Sequence, residues 1–128
     1  MQNSYPADVD HRGIPNSILC QEDREMSAVY NFKAVAEQNS VDLAWEALMD
    51  SRFSSLRKSI YGESEAELKR FRILLVNCVM STEMFDDQLK QLRNARWEKA
   101  FSVPDGVQPT TQAINRKATI VLEHLIQV

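Results

Sequence analysis

Asp8, Asp10 and His11 fall within four consecutive positions, with Gly13 and Asn16 close behind, and they form the compact cluster of metal-capable side chains in this chain. Carboxylates and an imidazole are ligand types for zinc and magnesium. A structural zinc site needs about four converging ligands, however, and a catalytic one about three plus water. Taken alone, the string reads as a solvated acidic turn. Glu37 in isolation reads as a surface carboxylate on a helix, and His124 as a partly exposed helical histidine with no assigned role. Cys20 and Cys78 lie far apart and read as buried free thiols in a reducing compartment, since two isolated cysteines make no disulfide framework.

These side chains must be positioned by helices. The chain has 128 residues, 44% of them hydrophobic and 26% charged, with only three Gly and four Pro. That is the balance of one soluble, helix-rich domain, and the expected fold class is all-α. A net charge of −3 provides no basic field for a phosphate backbone, which argues against nucleic acid as a partner. The apolar run 73–80 contains Asn77 and is far shorter than the roughly 20 residues that span a bilayer. The N-terminus lacks a secretory signal pattern, so no membrane contact and a cytoplasmic location, free or as part of a membrane-attached protein, are expected.

Punctuation and periodicity divide the chain further. Residues 1–16 read as mostly irregular, with a frayed helical end allowed at 8–11. Asn16 or Ser17 can cap a short helix through Cys20, and 22–30 forms another. From 33 to 49, Val41, Ala44 or Trp45, and Leu48 trace one apolar stripe. Residues 53–61 read as an amphipathic helix stopped by Gly62. A Ser64-x-x-Glu67 capping box opens a long helix with the stripe Leu68, Phe71, Leu75, Cys78 and Val79, expected to reach Gln88 and even Leu92. Residues 93–101 continue helically, 102–109 form a loop, and Thr110 or Thr111 caps a last helix whose Ile114, Ala118, Val121 and Leu125 share one side. Trp45, Phe71, Met80 and Met84 read as core, and the charged segment 63–72 as a solvated face with an i, i+4 pair between Glu65 and Lys69.

Residues 7–16, Ala-Asp-Val-Asp-His-Arg-Gly-Ile-Pro-Asn, closely resemble the His-Asp-x-Asp-His-x-Gly-x-x-Asn signature of class I cyclic-nucleotide phosphodiesterases. The likeness continues in order. Residues 28–31 and 35–40 resemble the family's Tyr-Asn segment and its Glu-Asn-His-His motif; 76–84 are similar to the helix carrying Leu-Ala-Thr-Asp-Met, and 113–126 to the helix that leads to the last metal-binding aspartate.

The resemblance implies a helical catalytic domain that hydrolyses 3′,5′-cyclic AMP or cyclic GMP to the 5′-monophosphate with two divalent metals, zinc and magnesium. In such a site metals neutralise phosphoryl charge and supply hydroxide near neutral pH, while a histidine protonates the leaving 3′ oxygen. By position, Asp8 is the metal-bridging carboxylate. Asp10, His11 and Asn16 line the site or orient its ligands, Glu37 lies near the metal-bound waters, and Thr82 hydrogen-bonds on the magnesium side. The departures are specific: Ala7 stands for a zinc-binding histidine, Asn39 and Ser40 for the histidine pair, and Glu83 for an aspartate. The blocks carrying the proton-donating histidine and the last aspartate are not within the sequence, so no catalytic residue is assigned. The expectation is therefore a partial catalytic domain over 7–128 behind an unrelated segment 1–6, inactive by itself. Its alternative is a metal-free helical remnant acting as a binding or structural module. Uncovered apolar faces predict self-association.

Overall fold

The computed structural model describes residues 9–102, 106 and 108–127. Among them are seven α-helices and no strand: α1 (Asn16–Glu22), α2 (Arg24–Val29), α3 (Val35–Met49), α4 (Ser54–Tyr61), α5 (Glu65–Met80), α6 (Asp87–Phe101) and α7 (Thr111–Ile126). The chain divides into two units, 1–80 and 81–128.

In the first unit, α3 carries the core. Val35, Ala36, Ser40 and Val41 are buried on one side of it, and Val35 and Ala36 pack with Leu19 of α1, closed over by Ile14, Cys20, Met26 and Tyr30. Both cysteines are free and half-buried, so the thiols are less enclosed than the sequence suggested. The anticipated α3 stripe is present, with Ala44, Trp45 and Leu48 half-buried along the same side. Trp45 stacks on Phe71 of α5 at 6.2 Å between centroids, and Tyr61 of α4 lies 5.6 Å from the same ring. Such ring pairs add directional attraction to the area they bury. These rings are partly covered rather than fully interior. The carbonyls of Leu48 and Asp50, at the α3 end, both accept from Arg57 Nη1 at 2.7 Å, which satisfies groups that a helix end leaves without partners. Gly62 stops α4 at φ +69°, as its position predicted; a residue with a Cβ would be strained there.

Along α5 the expected stripe holds: Leu68, Phe71, Leu75 and Cys78 are half-buried and Val79 is buried. The helix does not reach Gln88. It ends at Met80, and α6 starts afresh at Asp87. The break has a polar cause. Glu83 Oε1 accepts from the Phe85 amide at 2.7 Å, and Asp86 Oδ1 accepts from the amides of Gln88 and Leu89 at 2.9 and 3.0 Å. An aspartate N-cap of this kind favours a new helix start over continuation.

The second unit pairs α6 with α7. Arg93 and Ala100 are buried on α6, Ile120 and Glu123 on α7. Arg96 Nη2 meets Glu123 Oε1 at 2.9 Å, and the Trp97 and His124 rings lie 4.7 Å apart. Thr110 Oγ1 accepts from the Ala113 amide and caps α7 as anticipated. The anticipated α7 stripe is corrected: Ile114 and Leu125 are exposed, and the buried side runs through Ile120 and Glu123. The polar and aromatic contacts to α6 turn that face inward. Among the described residues no helix is long and apolar enough to cross a membrane.

Candidate functional site

The candidate residues gather where the loop over residues 9–15 meets the first two turns of α3. Asp10 opens the loop with φ +55°, a left-handed conformation that aspartate tolerates better than most residues because its short side chain bonds locally. His11 Nδ1 accepts from the Gly13 amide at 3.0 Å. Arg12 reaches Asp23 at 2.9 Å. Asp23 is also the N-cap of α2, accepting from the Met26 amide at 3.1 Å. That amide first, and the Arg12 guanidinium after it, hold the Asp23 carboxyl below its ordinary value against an opposing desolvation.

Asn16 is the joint of the arrangement. The sequence allowed it as the cap of α1, but Pro15 takes that position without a side-chain bond. Asn16 is the first residue of α1 and serves α3 instead. Its Oδ1 accepts from the Ala36 amide at 2.9 Å, and its Nδ2 donates to Glu37 Oε2 at 2.7 Å. The need is local to α3, whose own N-cap, Ala34, sits at φ +41° and has no capping side chain. Asn16 therefore supplies from another helix the acceptor that α3 lacks. Glu37 is not the solvated carboxylate that its type suggests: only 7% of it is exposed, and it lies in the first turn of α3, where the helix dipole favours a negative charge.

Two further bonds fasten the loop. Asn39 Nδ2 donates to Asp10 Oδ2 at 3.2 Å, and the buried Ser40 hydroxyl donates to the Val9 carbonyl at 2.6 Å. No local pattern could have indicated them, because the partners are separated by 29 and 31 residues. The turn before α3 is held in turn by Tyr30, whose hydroxyl donates to Asp42 at 3.2 Å. Burial, then the Asp42 charge, push that phenol above its ordinary value.

Asp10, His11, Asn16 and Glu37 thus belong to one loop-on-helix arrangement. Asp8 lies outside the described residues. Thr82 belongs to the second unit, half-buried and partnered, beside the buried Glu83, whose carbonyl accepts from Arg93 at 3.2 Å.

A zinc and magnesium pair would need several carboxylates and imidazoles converging on one point. The described donors are committed elsewhere: Asp10 faces Asn39, His11 turns its Nδ1 to its own loop, and Glu37 faces Asn16. Among the described residues no group of three His, Cys, Asp or Glu side chains could hold a metal ion. This donor set does not fit the metal pair.

Among the described residues the secondary structure is helical, and the loop that carries Asp10 and His11 is hydrogen-bonded to α3, the helix that bears Glu37. The family model described as 3′5′-cyclic nucleotide phosphodiesterase matches residues 7–127, and the chain belongs to that family. Over 77 residues it is 30% identical to the high affinity cAMP-specific and IBMX-insensitive 3′,5′-cyclic phosphodiesterase 8A of Mus musculus, a match covering 60% of this chain and 9% of that protein. The chain therefore spans a small part of the curated relative's length. No solved structure matches it.

Proposed function

We propose that this chain is the loop-and-helix segment of a domain that hydrolyses 3′,5′-cyclic nucleotides to 5′-monophosphates in signal transduction, and that by itself it does not catalyse that reaction. Membership of the family and the cAMP-specific relative support the substrate class. One observation carries the second part: the polar side chains that could serve chemistry are spent on fastening loop to helix, Asp10 with Asn39 and Glu37 with Asn16. Ala7, Asn39 and Ser40, where the family's signature has histidines, supply no imidazole. The zinc and magnesium of the intact family site belong, on this reading, to a domain completed by residues other than those described. The free thiols support a cytoplasmic setting.

The test is release of 5′-AMP and 5′-GMP from the cyclic nucleotides by the purified chain with zinc and magnesium present. Release no faster than the buffer blank is expected. Metal-dependent turnover that disappears in Asp8→Ala would overturn the proposal.

A second reading, a non-catalytic helical module that binds through apolar contacts, is favoured by the exposure of Val29, Ile73 and Phe85, the last at 85%. Large uncovered apolar groups mark surfaces that associate. Light scattering across a concentration series tests it: growth in mass with concentration supports self-association, and a constant monomer mass counts against it.

A further inference from the structure

We propose that Asn39 and Ser40, together with Asn16, form a hydrogen-bonded clamp that holds the 9–15 loop on α3 without any divalent ion. The observations are the mismatch between donors and metal and the way the same side chains are used. Ser40 is fully buried and its hydroxyl reaches the Val9 carbonyl at 2.6 Å. One residue earlier on the helix, Asn39 donates to Asp10. A full turn before them Asn16 binds both the backbone of Ala36 and the carboxylate of Glu37. The four bonds tie down both ends of the loop: Val9 and Asp10 at its start, Asn16 at its close.

The chemistry of these groups favours a clamp over a metal site. A serine hydroxyl and a carboxamide are neutral and bind zinc poorly beside imidazole or thiolate. They are good hydrogen-bond formers, and the fully buried Ser40 hydroxyl, like the half-buried Val9 carbonyl it meets, is costly to leave unpaired. Asp10 is occupied by the Asn39 amide and so already has a neutral partner. The clamp fastens the loop whether or not the chain meets a cyclic nucleotide.

Arg12 sits inside the clamped loop and offers a readout independent of activity. Limited trypsin digestion of the full chain, followed by mass spectrometry of the fragment that begins at Gly13, measures how often the loop opens. In wild type the rate of this cut is expected to be the same in chelator and in excess zinc or magnesium. Ser40→Ala, which removes one bond and strands a carbonyl, is expected to raise it roughly tenfold, and Asn39→Ala severalfold. Ser59→Ala, whose hydroxyl bonds only within α4 at 3.1 Å, is expected to leave it unchanged. The proposal is overturned if metal slows the cut in wild type, or if neither clamp variant accelerates it. Should Ser40→Ala lose its helical circular dichroism, Asn39→Ala decides: a faster cut with helicity intact supports the clamp, and an unchanged rate removes it.

Discussion

Replacing Asn16 with alanine removes two bonds at once, and the structure sets the size of the effect. The Ala36 amide loses its acceptor at 2.9 Å and the Glu37 carboxylate its donor at 2.7 Å. Losing a capping acceptor costs about 0.5–2 kcal/mol, and losing a hydrogen bond to a charged group about 1.5–3 kcal/mol. Because Ala36 is 6% exposed and Glu37 7%, water reaches the orphaned groups poorly, and a combined loss of about 3 kcal/mol follows. For a chain of this size that lowers the melting temperature by about 10 °C. The chain has two tryptophans, Trp45 in the first unit and Trp97 in the second, so urea unfolding followed by fluorescence in a Trp97→Phe background reports on the unit that holds Asn16. Ser17→Ala, at the neighbouring exposed position, is the contrast and should shift stability by less than about 0.5 kcal/mol. If Asn16→Ala shifts the first unit no more than Ser17→Ala does, Asn16 is not the cap of α3 and the reasoning fails.

Asp23→Ala should lower the melting temperature at neutral pH, because it removes the N-cap of α2 and the partner of Arg12. The Asp23 carboxyl is held below its ordinary value of 3.8, so its contribution is present above that pH and is lost as pH falls through the depressed folded value. The gap between wild type and variant should accordingly close on acidification below 3.8, checked by thermal melts from pH 7 downward; a gap that widens there would contradict the assignment. In the second unit, Arg96→Ala leaves the 1%-exposed Glu123 carboxylate without its partner. Since Arg96 itself is 42% exposed, solvent screening reduces the loss to about 1–2 kcal/mol. Adding Glu123→Gln to that variant should recover part of it in a double-mutant cycle, whereas additive losses would show that the pair is not coupled.

Much of the fold was legible because it rests on periodicity. The α3 and α5 stripes appear where apolar spacing placed them, and Gly62 stops α4 for the backbone reason that its type announces. The legibility failed where polar groups decide the outcome. Apolar residues on both sides of Ser81 looked like one helix, yet Glu83 and Asp86 satisfy backbone amides locally and divide it. On α7 an acidic residue, Glu123, is interior and the apolar Leu125 is exposed, a reversal produced by Arg96 on another helix. At the candidate site, type and order single out Asp10, His11, Asn16 and Glu37, and the structure places the first two in one loop, Asn16 at the start of α1 and Glu37 in the first turn of α3. The parts played by Asn39 and Ser40 depend on partners far away in sequence, so only the folded chain reveals that they fasten the loop.

Side-chain hydrogen bonds hold the 9–15 loop on α3, and on the proposed reading the chain does not assemble a metal pair by itself. Loading the purified chain with zinc and magnesium, dialysing against metal-free buffer, and measuring bound metal by plasma mass spectrometry tests this. The predicted result is well below one equivalent of either ion per chain, with the melting temperature unchanged by the loading. Retention of one or two equivalents that is lost in Asp8→Ala would contradict it.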